Sequence, residues 1–156
     1  KKSWEALPQT EIPEVRHVEI PVLYGGEFAE DMDRVSRHTG LNQSEIIQCH
    51  EGGSYKVYFT GFSPGFPYIG GMDPSLSTPR LTTPRKQVPA GTVGIAAEQT
   101  GIYPLSSPGG WNLIGRTPIK IFDWNHPTDL PLRMGDSIKF ISITKKEFDQ
   151  LKENVT

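Results

Sequence analysis

Apolar and polar residues alternate along residues 15–23. Val15, His17 and Glu19 fall on one side, and Arg16, Val18, Ile20 and Val22 fall mostly on the other. A period of two predicts a half-buried strand. Pro21 has no N–H to give a ladder, so it marks an edge or a strand end. Gly25-Gly26 turns the chain, and the spacing then changes. Phe28, Met32, Val35 and Thr39 recur at helical intervals and predict an amphipathic helix, with Gly40 where a C-terminal helix glycine belongs. Asn42 with Glu45 is a capping-box start for a second short helix, buried through Ile46 and Ile47 and ended by Gly52-Gly53. Residues 54–62, SYKVYFTGF, are β-branched and aromatic and predict a strand.

From Gly61 to Arg116, proline and glycine return every few residues, with Phe62, Phe66, Tyr68, Tyr103 and Trp111 between them. Proline fixes φ and glycine reaches positive φ, so no long helix fits here. Short apolar runs predict strands at 92–96, 101–105 and 111–115, with 120–122 continuing the pattern. Residues 132–144 hold a turn at Met134-Gly135-Asp136 and an alternating run over 137–143. Thr144 with Glu147 is a further capping box. It opens a terminal helix over 145–154, with a stripe of Phe148, Leu151 and Val155. Many short strands and few helices predict a mainly β fold, a closed or nearly closed β-barrel with peripheral helices.

Composition narrows the classes of function. The 156 residues carry a formal net charge of −2, which makes no electrostatic case for nucleic acid or an anionic membrane. No apolar run has the length of a membrane helix. The single cysteine, Cys49, rules out an internal disulfide framework and suits a reducing cytosol, so the expected location is cytoplasmic. Residues 1–14, with Pro8 and Pro13 as breakers, read as a linker or the remnant of a missing N-terminal domain, whose Trp4 and Leu7 could dock on the barrel domain. Residues 15–156 form the barrel domain.

The motifs of catalysis are missing from the sequence: no P-loop, HExxH, CxxC or GxSxG occurs. The four histidines have no metal-ligand spacing, so no metal is expected. Cys49 reads as a small buried residue, His38 as a helix-dipole partner and Glu98 as a solvated turn acid. What remains is a binding-site composition. Arg80, Arg85 and Lys86 lie in PRLTTPRK, on backbone stiffened by proline. They read equally as an anion clamp and as a solvated loop. Gln99 and Thr100 either orient a polar ligand or cap a turn. Ser107, Gly109 and Trp111, in SSPGGW, offer close backbone approach and a flat wall, or a tight hairpin over a core tryptophan.

The order GFSPGFPYIGG, TPR, PRKQVPAGTVGIA, EQTGIYP and SPGGWNLIGRTP resembles the KipI / PxpB family, also called allophanate hydrolase subunit 1, over roughly residues 18–143. The resemblance implies a cyclophilin-like β-barrel and a smaller α/β domain upstream. It does not import prolyl isomerase activity, because fold does not fix function. It implies the role of a B-type subunit in a bacterial ATP-dependent 5-oxoprolinase with A- and C-type (KipA-like) partners, hence a non-autonomous hydrolase component. The barrel mouth would then hold a small cyclic amide or its activated form. Phe66, Tyr68 and Trp111 would wall the ring, Arg85 and Lys86 offset charge, and Gln99 and Thr100 orient polar atoms. No cofactor is expected on this domain alone, ATP being handled in the full complex. The alternative that the resemblance implies is a KipI-type inhibitor of the sporulation histidine kinase KinA, gripping a kinase helix and blocking autophosphorylation. Related domains are also fused into urea carboxylase and urea amidolyase. A third reading is a scaffold for a neighbouring subunit.

Overall fold

The computed structural model describes residues 13–61 and 63–155. The expectations for Trp4, Leu7 and Phe62 concern positions outside these, as does the linker reading apart from Pro13 and Glu14. Seven strands close a barrel: β1 (His17–Tyr24), β8 (Asn112–Arg116), β5 (Thr92–Ala96), β6 (Gln99–Ile102), β3 (Pro67–Gly70), β2 (Tyr55–Thr60) and β9 (Ser137–Ser142), in that spatial order. Neighbours are antiparallel except β1 and β9, which run parallel from His17 opposite Ser137 to Val22 opposite Ser142. A separate two-stranded sheet pairs β4 (Arg85–Val88) with β7 (Ser107–Gly109). Helices α1 (Met32–Thr39), α2 (Gln43–Glu51) and α3 (Lys145–Asn154) lie around the barrel.

The local signals explain these elements. In β1 the burial alternates, with Ile20, Val22 and Tyr24 inside. The N–H of Ser137 bonds the carbonyl of Arg16 and that of Ile143 bonds Val22, so the even residues of β1 face β9. Pro21 therefore turns its missing N–H toward β8, which pairs only Leu23 and Tyr24. The barrel leaves β1 no free edge, yet the proline sits where no ladder partner is needed. Both expected capping boxes close, Asn42 with Glu45 and Thr144 with Glu147. Gly40 ends α1 in the left-handed region at φ 78°.

The structure departs from the sequence pattern in three stretches. β6 begins at Gln99, not at residue 101, because Ala96 and Gln99 already pair across a two-residue turn. Segment 120–122 is irregular. Ile121 and Phe122 are held there by burial rather than by a ladder. β3, β4 and β7 form inside the proline-rich stretch. Pro67 opens β3, and Pro108 lies in a two-stranded sheet, positions where a missing N–H is tolerated.

Two apolar clusters result. The larger fills the barrel and the undersides of α1 and α2, with Val22, Val57, Ile69, Val93, Ile114 and Phe140 among its members. The smaller gathers Phe66, Val88, Ala96, Tyr103, Trp111 and Leu113, with Tyr68 packed against it. Val88 comes from β4, so this second cluster lies between the barrel wall and the β4–β7 sheet. Wall strand β5 is thus covered on both faces. That is why TVGIA is buried throughout instead of alternating.

Candidate functional site

The second cluster opens to solvent as a cup of about 70 Å³, lined by Phe66, Tyr68, Arg80, Tyr103, Gly109, Gly110 and Trp111. Phe66 is its floor. The Phe66 ring meets Trp111 edge-to-face at 5.5 Å and Tyr103 edge-to-face at 5.4 Å, and tilts against Tyr68 at 5.0 Å. Such geometry lets the positive ring edge meet a negative face, worth roughly 0.5–1.5 kcal/mol per pair beyond burial. Two glycines make the packing possible. A Cβ on Gly101 would stand 3.0 Å from Trp111 and 3.2 Å from Phe66, and one on Gly109 would overlap the Tyr103 phenol. Burial pushes the Tyr103 phenol up in pKa, against smaller opposing effects of a Trp111 backbone hydrogen bond and of Arg80 and Arg85.

Arg80 sits at the cup with its guanidinium carbon 5.9 Å from the Trp111 ring centre, within cation–π range. Its loop is pinned from three sides. Leu81 N–H bonds the Gly110 carbonyl at 2.7 Å, and Ala97 N–H bonds the Thr78 carbonyl at 2.8 Å. Buried Asn112 donates through Nδ2 to the carbonyls of Pro79 and Ile95, each at 3.0 Å. Arg34 of α1 bonds both the Pro79 carbonyl and Asn112 Oδ1. Among the described residues Arg80 has no carboxylate partner.

Of the residues singled out from sequence, the cup unites Phe66, Tyr68, Gly109 and Trp111. The others lie elsewhere. Arg85 is engaged by acids: Nη1 and Nη2 grip Asp31 at 2.8 Å each, and Nε reaches Glu30 at 3.2 Å. The Asp31 hydrogen bonds, partly opposed by desolvation, hold the Arg85 charge firmly in place. Asp31 also accepts the Leu113 N–H at 2.8 Å, so this pair latches the β4–β7 sheet onto β8. Lys86 is exposed on β4. Gln99 is exposed at the β5–β6 turn. Ser107 is half-buried on β7, opposite Val88.

Thr100 faces the barrel interior, opposite to its neighbour Gly101. There it meets His50, which has no exposed surface. Thr100 Oγ1 bonds the Gly94 carbonyl and His50 Nε2, each at 2.9 Å, and Tyr24 Oη lies 2.6 Å from His50 Nδ1. The threonine's one hydroxyl proton goes to Gly94, so His50 must donate from Nε2 and accept at Nδ1 from Tyr24. The imidazole is therefore held neutral, and burial lowers its pKa to about 3. The candidate site thus lies on the outer wall of the barrel, not at its mouth. Sequence reasoning left Tyr103 and Gly110 out of the site and preferred Arg85 to Arg80. The signal for Tyr103 was its place two residues after Gly101, on the same face of the strand expected over 101–105, although β6 itself ends at Ile102. His50 carried no signal, because its partners lie far along the chain.

The described residues thus form a closed β-barrel that bears an aromatic cup on its outer wall, and no grouping of His, Cys, Asp and Glu for a metal occurs among them. Residues 1–132 match the carboxyltransferase domain family, subdomains C and D. The chain is 49% identical over 138 residues to the 5-oxoprolinase B subunit of Bacillus subtilis, covering 88% of this chain and 58% of that protein. A conserved uncharacterized protein of Pyrococcus horikoshii superposes with a TM-score of 0.81 at 49% identity, over 85% of this chain and 62% of that one. The Kluyveromyces lactis urea carboxylase shares the fold, with a TM-score of 0.72 at 21% identity over 90% of this chain and 15% of its own. The chain belongs to the carboxyltransferase-domain family, subdomains C and D, and within it to the KipI / PxpB proteins. It spans about three fifths of the length of the curated relatives it matches most fully, 58% to 63%. No helix among the described residues is long and apolar enough to cross a membrane.

Proposed function

We propose that this chain is the barrel domain of the B-type component of an ATP-dependent 5-oxoprolinase, working with A- and C-type subunits. The aromatic cup receives the flat lactam ring of 5-oxoproline or of its phosphorylated form. Arg80 carries the reading: a guanidinium held over Trp111, beside three further rings, with no carboxylate partner among the described residues. The rings take the apolar face of the lactam, and Arg80 takes the carboxylate or phosphate. At roughly 10–15 Å³ for each water-sized occupant, a cup of about 70 Å³ holds part of such a molecule. A partner subunit supplies the remaining walls and the nucleotide site, for which this sequence has no P-loop.

The test is ATP-dependent loss of 5-oxoproline by the assembled subunits. Arg80→Ala lowers kcat/KM roughly tenfold or more, while Lys86→Ala on the exposed strand leaves it unchanged. Full activity of Arg80→Ala, with the complex assembled, would remove the cup from the mechanism.

A further inference from the structure

On another face, α3 and the irregular segment 117–122 enclose a groove of about 500 Å³ that the cup does not use. This is within the range of small-molecule sites. Leu105, Pro118, Ile119, Phe122, Phe148 and Val155 make it apolar. Arg116, Lys120 and Lys152 also line it, and among the described residues no aspartate or glutamate does, a local reversal in a chain of net charge −2. Lys120 is answered by Asp123 at 2.9 Å. Arg116 is not: among the described residues its guanidinium has no acceptor, and its buried Nε is unpartnered. It rests 4.1 Å over the Phe28 ring, which orients it without neutralising it. Glu27 and Glu30 act on it only through space. Desolvation outweighs them and lowers the Arg116 pKa.

Charge selects the occupant. A neutral or cationic amphiphile would cover this guanidinium further and leave it without a hydrogen-bond acceptor, whereas a carboxylate supplies one together with a charge closer than those of Glu27 and Glu30. We propose that the groove binds an amphipathic monoanion, a carboxylate with an aliphatic tail, its head at Arg116 and its tail along Pro118, Phe148 and Val155.

Octanoate is the probe, titrated into the full chain by calorimetry beside acetate and octyltrimethylammonium. Octanoate saturates one site below the millimolar range, and acetate and the cation do not. Arg116→Gln weakens octanoate roughly tenfold, the loss of one charge-assisted contact. Val155→Asp, at a half-exposed position at the end of α3, weakens it similarly, with the fold checked by circular dichroism. Arg80→Ala in the cup leaves octanoate binding unchanged, which separates this site from the proposed lactam site. Absence of saturation, equal binding of the cationic amphiphile, or indifference to both groove substitutions overturns the proposal. If Arg116→Gln melts, Val155→Asp and the pair of oppositely charged probes decide it.

Discussion

Acid should unfold this domain through His50. The ring is fully buried, donates to Thr100 and accepts from Tyr24, and lies 4.4 Å from Phe140. A proton added at Nδ1 would face the Tyr24 hydroxyl donor and carry charge into an apolar interior. The native pKa is accordingly about 3, against an ordinary value of 6.5. The unfolded chain therefore binds the proton first. Stability is complete above about pH 6.5, drains as pH falls, and levels off near pH 3. At 1.36 kcal/mol per unit the whole interval amounts to about 5 kcal/mol, and the part between pH 7 and pH 5 to about 2 kcal/mol. Urea unfolding at a series of pH values, for the natural chain and for His50→Gln, isolates this share, since glutamine does not titrate. The natural chain should lose about 2 kcal/mol more than the variant between pH 7 and pH 5. Parallel losses, within about 0.5 kcal/mol, would show that His50 is already protonated in the native state or that another group governs the acid limb.

Two further perturbations probe the frame of the cup. Asp31→Ala removes the bidentate partner of Arg85 and the acceptor of the Leu113 N–H. With Arg85 partly solvated, the expected cost is about 2–3 kcal/mol in urea midpoint analysis, and a change under about 0.5 kcal/mol would show that the latch does not hold the sheet. Gly109→Ala drives a methyl into the Tyr103 phenol, which must then move off the Phe66 edge. A loss of about 1–3 kcal/mol and a weakened near-ultraviolet circular dichroism signal are expected, and an unchanged aromatic spectrum would count against the packing described.

Much of the barrel is legible where one force dominates. The alternation of β1 and the reciprocal caps of α2 and α3 are local properties of a few adjacent residues, and the structure keeps them. The covered sheet was harder. β4 and β7 have too few residues and too much proline to show a period, and they exist because the barrel wall gives them something to cover. The site was half legible for a related reason. Clustering of aromatics along the chain pointed to Phe66, Tyr68 and Trp111. Arg80 and Arg85, however, each follow a proline in the same stretch. What separates them is Asp31, far away in sequence, which engages one guanidinium and leaves the other at the cup. No local pattern encodes that choice.

The parallel seam between β1 and β9 has a consequence for biosynthesis. Its partners stand 120 positions apart, and Arg16 reaches across the same interval to Asp136, at 3.0 Å through Nε. Loop-closure entropy must be met before so distant a pairing gives any return. A chain emerging from the ribosome would hold β1 unzipped until β9 clears the exit tunnel, so while the 120 positions between them are made the barrel stays an open sheet with an unsatisfied edge.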